Sequence, residues 1–516
     1  RGYAEHVYDS WSTRPRALFL IGKAVQAPRF NSSNQGHRTA ADTTGRRLLR
    51  VPTFGYPPSD VCFTLGLNGD PNEVAIPVGR LSAYTENEVM DYLGKVQVYE
   101  DHDVPEPWMK NILHFRGGFS ASEWALFNAI LEGFKVIAED TCFAGRVIKF
   151  VKNGIDPIEI ASADSVAALI EEGVTLMTFF AHATGGGFDI SLDNVNDYNW
   201  NGHHPTIVGN SCYTGNIHLT NSSSASEHFV IAQDKGAIAF IASVDIGLAG
   251  LLASYTNEFY RSFSQLNYGG TIGQHMQHAA QVQMFGGGGN IEVLNNVQTF
   301  TLHGDPTLIM NSFPEPDYRV TPEDISFDPP LVTVDIDTFQ VAAVITNIGK
   351  GTNDTVVVSL TRTLQDGTIQ IPQLTATQLH YSDPVVFDVP VLAADGGLGL
   401  NHLEVRVDLD PDEIPEMVDD GAPLGNNSAE KNLLIASGDL IPAWPYEYAI
   451  IPDVLPTLRA STLDPFAPPR NYILQVDTTD TFDSPMMEST TSHAPAGAAT
   501  ATPASMCSLD GLEASR

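Results

Sequence analysis

The sequence predicts an α/β fold in which a mostly parallel sheet covered by helices is followed by an immunoglobulin-like β-sandwich and a partial β module. Two observations predict this order. Residues 1–312 alternate short apolar runs with stretches of helical periodicity, whereas residues 325–435 contain β-branched alternating runs and no convincing helix. The proline-rich segment Phe313–Pro316 between them predicts a linker.

The strands of the first domain are predicted from apolar runs that are bounded by turn-forming residues. Strands that are buried on both faces of a parallel sheet are apolar throughout, so they need no alternation with polar residues. In chain order the runs are Ala17–Gly22, Glu73–Arg80, Asn111–Arg116, Arg146–Val151, Val174–Ala181, Pro205–Ser211 and Ala237–Ala242.

Helices are predicted between these strands from periodicity and from two capping boxes. Thr85 with Glu88, and Ser224 with Glu227, have the spacing in which a hydroxyl and a carboxylate satisfy the first amides of a helix. The predicted helices are residues 85–100, 122–134, 165–172, 224–235 and 249–263. Glycine pairs and runs interrupt the segments that follow, and the domain is expected to end near Thr301–Met310.

The second half of the chain is expected to contain β modules. The β-sandwich is assigned to residues 318–435, and residues 436–484 are proline-rich with one strand-like run, Tyr472–Val476, which predicts a partial β module. Residues 485–516 are rich in Ser, Thr, Ala and Pro, so we expect a disordered tail.

Composition limits the classes of partner and compartment. The 516 residues include 27 Lys and Arg against 62 Asp and Glu, a formal net charge of -35, which argues against nucleic acid as a partner. The four cysteines are too scattered for a zinc ribbon or a disulfide scaffold, and no apolar stretch is long enough to span a membrane. The chain begins at Arg1, so we expect a fragment or a processed form.

His182 and Cys212 are the candidate catalytic residues. Each follows one of the predicted buried strands, Val174–Ala181 and Pro205–Ser211, within a turn. Ligands of open α/β sheets bind at the carboxyl ends of the strands, so a thiol and an imidazole there suggest a Cys-His dyad. The alternative is structural: Cys212 is a small buried residue, and His182 is a hydrogen-bonded loop residue.

Six segments of residues 1–312 resemble, in the right order, the gingipain-type cysteine peptidases of family C25. This resemblance implies a caspase-like fold, with Cys212 as the nucleophile, His182 as its base, and the backbone N–H groups of Ala183 and Cys212 as oxyanion donors. It assigns no substrate-binding residue. The six segments are Val74–Leu81, Phe180–Ala183, Gly209–Gly215, Ala237–Ser243, Gly269–Ile272 and His303–Leu308.

The whole arrangement is similar to the sortase-like C25 members of the type IX secretion system. The β-sandwich resembles an adhesion-related module, with acidic Asp408–Asp412, and Asp464–Pro468 adds to the similarity. The resemblance implies an extracellular or outer-membrane-associated protein that acts on protein or peptide substrates and contacts secretion-machine subunits. Endopeptidase and transpeptidase activity both stay open, and so does a catalytically weak scaffold subunit.

Two departures from the family pattern favour the scaffold. Ala181 and Ala183 stand where the family usually has glycines, which matters if either position needs a positive φ. The carboxylate that orients the imidazole in many relatives is expected after Phe115, where this chain has Arg116. A cation beside the histidine would weaken a thiolate-imidazolium pair. Glu123 could replace the carboxylate, although capping its own helix is the favoured role.

No metal site is predicted, and calcium is considered as a possible ligand. Two histidine groups lack the carboxylate of a zinc motif. They are His275, His278 and His303, and His203, His204 and His218. Asn68–Asp70 could belong to a calcium loop, as relatives often bind calcium nearby, but it lacks the preceding acidic residues. Gly185–Gly187 is interpreted as giving substrate access beside His182.

Overall fold

An eight-stranded sheet forms the centre of the first domain in the computed structural model of the chain. Its strand order is β1-β2-β12-β11-β10-β6-β3-β4, and every neighbouring pair is parallel except β11 with β12. The predicted mostly parallel sheet is therefore confirmed. The strands are β1 (Leu18–Ile21), β2 (Val78–Leu81), β3 (Asn111–Arg116), β4 (Arg146–Val151), β6 (Leu176–Phe180), β10 (Thr206–Asn210), β11 (Ala239–Ser243) and β12 (Phe300–His303).

The structure describes most of the chain. The described residues are 1–26, 47–156, 159–160, 163–184, 186–192, 194–220, 223–287, 289–408, 414–418, 425–435, 441–445, 457–461, 469–477, 479, 481–485, 487–494 and 498–501. Gly185, residues 409–412, Asp464–Pro468 and the fourth cysteine, Cys507, lie outside them.

Helices cover the sheet, and both predicted capping boxes form. Thr85 caps α2 together with Glu88, and Ser224 caps α5 together with Glu227. Short strand pairs connect β5 with β9 and β7 with β8. The helices are α1 (Gly2–Ser10), α2 (Glu86–Glu100), α3 (Ala121–Ala138), α4 (Ala163–Glu172), α5 (Ala225–Val230), α6 (Ala249–Arg261), α7 (Ile272–Gly287) and α8 (Ile291–Thr299); the short strands are β5 (Glu159–Ile160), β7 (Ala183–Thr184), β8 (Gly187–Phe188) and β9 (Ile190–Ser191).

The central strands are buried along their whole length. Every residue of β3, β6, β10 and β11 is buried, because helices cover both faces of the sheet. Aromatic rings stack across these strands, with the Phe115 and Phe179 rings 4.4 Å apart and the Phe179 and Phe188 rings 4.2 Å apart. This core fixes the strand ends at which His182 and Cys212 lie.

Two four-stranded antiparallel sheets follow the linker. One sheet has the order β13-β15-β14 with β18 beside β15, and the other has the order β17-β16-β19-β20. Burial alternates along β15, as expected when one face of a sheet packs on a core. The strands are β13 (Tyr318–Arg319), β14 (Ile325–Asp328), β15 (Thr338–Asn347), β16 (Thr355–Thr363), β17 (Gln373–Gln378), β18 (Ser382–Pro390), β19 (Gly399–Val407) and β20 (Ser428–Ile435).

The two domains meet through backbone hydrogen bonds and one buried lysine. Cys142 and Gly351 exchange N–H to carbonyl bonds of 3.0 and 2.7 Å. The Lys110 ammonium, which is fully buried, donates to the carbonyl of Phe143 in the first domain and to that of Gly349 in the second.

The expectation of a disordered tail from residue 485 is wrong for residues 488–494 and 498–501, which form strands. Residues 488–494 form a strand along β23, because their Ser and Thr side chains suit an exposed pleated pair. The last strand pairs with β22, so this module extends beyond the predicted residue 484. Its strands are β21 (Ile441–Trp444), β22 (Leu458–Ser461), β23 (Arg470–Val476), β24 (Glu488–Ala494) and β25 (Ala498–Ala501).

None of the helices in the described part of the chain has both the length and the apolar character that a membrane crossing requires.

Candidate active site

The two candidate catalytic residues lie at the same edge of the central sheet. β6 and β10 are adjacent and parallel, and Phe180 pairs with Asn210 at their carboxyl ends. The Ala181 N–H donates to the Asn210 carbonyl at 3.3 Å, so the two chains stay together beyond the strands. His182 and Cys212 each follow two residues after this last pair. The predicted placement of the thiol and the imidazole on neighbouring strand ends is therefore what the fold produces.

Cys212 is a half-buried free thiol held against Gly247. The Gly247 N–H donates to Cys212 Sγ at 3.4 Å, and the Gly247 carbonyl lies 3.9 Å from the same sulfur. The next residue, Tyr213, has φ of 63°, and its N–H donates to the Asp245 carbonyl at 2.9 Å. These contacts hold the turn at Cys212.

His182 is held by one carboxylate and two aromatic rings. Its Nε2 lies 3.2 Å from Glu123 Oε1, and its ring stacks on Phe119 with centroids 5.1 Å apart. The Phe127 ring lies 5.9 Å away at a tilt. The imidazole side chain is 45% exposed, so it is restrained while its outer side stays accessible to a substrate.

Glu123 both caps its helix and contacts the imidazole. Its Oε2 accepts from the Phe119 N–H at 2.8 Å, and its own N–H donates to Ser120 Oγ at 3.3 Å. Its other oxygen accepts from His182. The Phe119 N–H, together with the imidazole, holds the pKa of Glu123 below its usual range. The helix cap and the orienting carboxylate, which the sequence analysis weighed as alternatives, are combined in one side chain.

Arg116 occupies the position where the sequence analysis expected an orienting carboxylate. It ends β3, is buried, and lies beside Phe180 in the sheet. Its guanidinium lies 5.4 Å from the centre of the Trp124 ring, and its Nη2 is 3.5 Å from Asn153 Oδ1. The carboxylate that the imidazole uses comes from Glu123 in the first turn of α3.

The alanines on either side of His182 introduce no backbone strain. Neither Ala181 nor Ala183 has a positive φ. Ala183 pairs with Phe188 in the β7–β8 hairpin, and the Asp189 N–H donates to the His182 carbonyl at 2.8 Å. In this register the N–H of Ala183 points out of the hairpin.

A family model for peptidase family C25 matches residues 1–311. The chain belongs to peptidase family C25. Among solved structures, that of the Arg specific cysteine proteinase gingipain R is 15% identical, covering 84% of this chain and 87% of its own, with a TM-score of 0.47. The complex of the pro- and mature domains of RgpB from Porphyromonas gingivalis is 15% identical, covering 84% of this chain and 89% of its own, with a TM-score of 0.47.

The dimeric latent PorU from Porphyromonas gingivalis is 12% identical, covering 94% of this chain and 45% of its own, with a TM-score of 0.29. No curated protein matches the chain.

The candidate metal ligands of this C25 chain have structural partners. His275 is buried beside Ser262 Oγ at 3.0 Å, and His303 Nε2 accepts from the Ser82 N–H at 3.1 Å. Burial lowers the pKa of His275 to about 3 and that of His204 to about 4, which keeps both rings neutral. Among the described residues, no three His, Cys, Asp or Glu side chains are grouped so that they could hold a metal ion.

The Asn68–Asp70 turn does not fit a calcium ion. Asn68 Oδ1 accepts from the Asp70 N–H at 3.2 Å, and Asp70 Oδ1 accepts from the Asn72 N–H at 2.9 Å. Calcium takes six to eight oxygen ligands, whereas this turn offers one carboxylate that already caps its own backbone.

Two cavities lie beside the edge of the sheet that carries His182 and Cys212. One of about 450 Å³ is bounded in part by Thr184, Tyr213 and Asp245. The other cavity, of about 990 Å³, includes Gly186 and Gly187 in its wall. These two residues belong to the glycine run that was predicted to give substrate access.

Sequence reasoning missed Phe119 and Gly247 as neighbours of the candidate catalytic residues. Only the glycine pair before Phe119 and the glycine at 247 signalled tight turns there.

Proposed function

We propose that this C25 chain is a cysteine endopeptidase in which Cys212 is the nucleophile and His182 is the general base and acid. The observation that carries the proposal is that His182 and Cys212 follow the adjacent ends of β6 and β10, with Glu123 Oε1 3.2 Å from His182 Nε2. Family C25 consists of cysteine peptidases, and the sequence resemblance assigns these two residues the same roles.

In the proposed reaction the Cys212 thiol gives its proton to His182, and Sγ attacks the carbonyl carbon of the scissile peptide bond. The C–N bond breaks as the imidazolium of His182 gives that proton to the leaving amine, and a thioester remains on Cys212. Water then attacks the thioester and loses a proton to the imidazole. The C–S bond breaks, the carboxylic acid leaves, and the proton on His182 returns to the sulfur. The N–H groups of Ala183 and Cys212 would stabilise the oxyanion in both steps.

Glu123 supports this chemistry by orienting the ring. A carboxylate at Nε2 leaves Nδ1 as the ring nitrogen that would exchange protons with the thiol and the leaving group. Phe119 limits rotation of the imidazole. With Glu123 in this role, the proposed site needs no acid at position 116.

An acyl-peptide probe that reacts with thiols tests the proposal. Wild type is compared with Cys212→Ala and His182→Ala, and Cys142→Ala serves as a control at another half-buried free thiol. We expect labelling of wild type and Cys142→Ala well above the rate of an ordinary thiol, and loss of labelling in the other two. Wild-type labelling at the rate of free cysteine would instead favour the catalytically weak scaffold.

The finer proposal, which the sequence resemblance supports, is that the chain is a sortase-like transpeptidase of the type IX secretion system at the bacterial surface. It differs only in that an amine resolves the thioester. Incubating the enzyme with glycinamide and an intact peptide that it cleaves distinguishes hydrolysis from transpeptidation. A transpeptidase transfers the acyl part of the peptide to glycinamide, and mass spectrometry detects that adduct. Partners would then include secretion-machine subunits. Adding calcium to the same assay tests whether it acts as a ligand elsewhere in the chain.

A further inference from the structure

A buried ion pair, Lys152 with Asp189, lies next to the Phe119 ring that stacks on His182. Lys152 Nζ is 3.1 Å from Asp189 Oδ2, and the two side chains are 0% and 4% exposed. Lys152 follows β4, and Asp189 follows the β7–β8 hairpin that begins after His182. Burying two charges costs more free energy than their attraction usually returns, so such a pair is poorly explained by stability alone.

Asp189 joins this pair to the two turns that form the site. Its Oδ2 also accepts from the Gly118 N–H at 2.9 Å, and its own N–H donates to the His182 carbonyl at 2.8 Å. A Cβ added at Gly117 would lie 2.2 Å from Asp189 Oδ1, so the carboxylate needs glycine there. One side chain thus ties the turn after β3 to the loop that carries the histidine.

Lys152 joins the pair to Phe119. Its ammonium lies 4.0 Å from the centre of the Phe119 ring, and the same ring stacks on His182. Its backbone N–H donates to the Arg116 carbonyl at 2.8 Å, which holds the end of β4 beside that of β3. A cation over an aromatic ring restrains the ring, and here the restrained ring is the one that packs on the imidazole.

We propose that Lys152 and Asp189 are positioning residues for His182. They hold Phe119 against the imidazole, and Asp189 balances the ammonium charge near the imidazolium that forms during catalysis. The proposal rests on the proposed role of His182. The charged groups around this ring are Glu123 in contact with it, Lys152 and Asp189 behind Phe119, Arg116 on the neighbouring strand, and Cys212 at the adjacent strand end.

The proposal predicts pH shifts of opposite sign for the two single substitutions. Asp189→Asn leaves the ammonium unbalanced and disfavours the imidazolium, so His182 should lose its proton at lower pH. Lys152→Met leaves the carboxylate unbalanced, so the proton should be lost at higher pH. The Lys152 ammonium lies 4.0 Å from the Phe119 ring centre, which lies 5.1 Å from the imidazole centre. The ammonium is therefore at most about 9 Å from the imidazole centre. At that distance each shift should be on the order of 1 pH unit.

Histidine labelled with ¹³C at Cε1 allows NMR titration of His182 in the full chain with Cys212→Ala, which needs no peptidase activity. The signal is assigned by its loss in His182→Gln. The double variant Lys152→Met/Asp189→Asn should titrate between the two single variants. Glu132→Gln and Lys149→Met, which break an exposed ion pair, are matched controls that should not move the midpoint.

Shifts of the same sign in both single variants, or no shift in either, would overturn the proposal. A structural role alone would lower stability without opposite titration shifts. If the wild-type chain shows no peptidase activity, this result would count against the proposed peptidase function. It would not affect the titration of His182. The two proposals can therefore fail separately.

Discussion

The Nε2 atom of His182 lies 3.2 Å from Oε1 of Glu123, whose other carboxylate oxygen accepts the Phe119 N–H at 2.8 Å. Both oxygens of the carboxylate are thus engaged, one by the imidazole and one by the backbone just before α3. Because the helix cap fixes the side chain, the carboxylate is positioned before a substrate arrives. Local helix capping and orientation of the imidazole therefore depend on the same residue.

Glu123→Gln should lower kcat with little change in KM. The amide can still accept the Phe119 N–H, but it carries no negative charge, and its NH₂ group can displace the ring. We expect a loss on the order of 100-fold, the size associated with small misplacements of a catalytic group. Initial rates on a peptide substrate measure it. Glu132→Gln on the exposed side of α3 is the control, and equal rates for wild type and Glu123→Gln would contradict the orienting role.

Glu123 should also give stability a pH dependence with a defined sign. The Phe119 N–H and His182 hold the pKa of this carboxyl below its usual range. A lowered folded-state pKa contributes stability above the unfolded value of about 4.3 and loses it as the pH falls through the folded value. The difference in thermal unfolding midpoint between wild type and Glu123→Gln should be constant from pH 6 to 8. It should shrink below about pH 4, and a difference that grows in acid would contradict the assignment.

Much of the site could be predicted because it follows from strand patterns. Two apolar runs, each followed by a turn, placed His182 and Cys212 at neighbouring strand ends, and the helix that begins before Glu123 was recognised from periodicity. The contact between Glu123 and His182 could not be predicted. It depends on Gly118, whose φ of 112° directs the chain so that the first turn of α3 faces the histidine loop. Side-chain contacts across such a turn leave no periodic signal.

Gly247→Ala should displace the nucleophile. A Cβ at this position would lie 2.5 Å from Leu252 Cδ1 and 2.9 Å from the Ser211 carbonyl oxygen, which directly precedes Cys212. We expect a loss of stability of about 1 to 3 kcal/mol from overpacking and slower alkylation of Cys212 by iodoacetamide. Gly250→Ala in α6 is the matched control, because its Cβ meets nothing within 4 Å. That control should keep the alkylation rate and gain up to about 1 kcal/mol from helix propensity. Equal alkylation rates in the two variants would show that Gly247 does not position the thiol.

Lys110, which lies between the two domains, should make the stability of the folded chain depend on pH. Its ammonium donates to carbonyls of both domains, and burial lowers its pKa to about 7. An unfolded lysine titrates near 10.4, so the unfolded chain binds more protons between pH 7 and 10, and this site adds stability as the pH rises through that window. The gain is at most about 1.4 kcal/mol per pH unit. Lys110→Met should flatten the rise in unfolding midpoint between pH 7 and 9 measured by calorimetry. The control Lys149→Met, at an exposed ion pair, should keep the rise. A wild-type midpoint that changes with pH in parallel with that of Lys110→Met would show that the ammonium stays charged in the folded chain across this range.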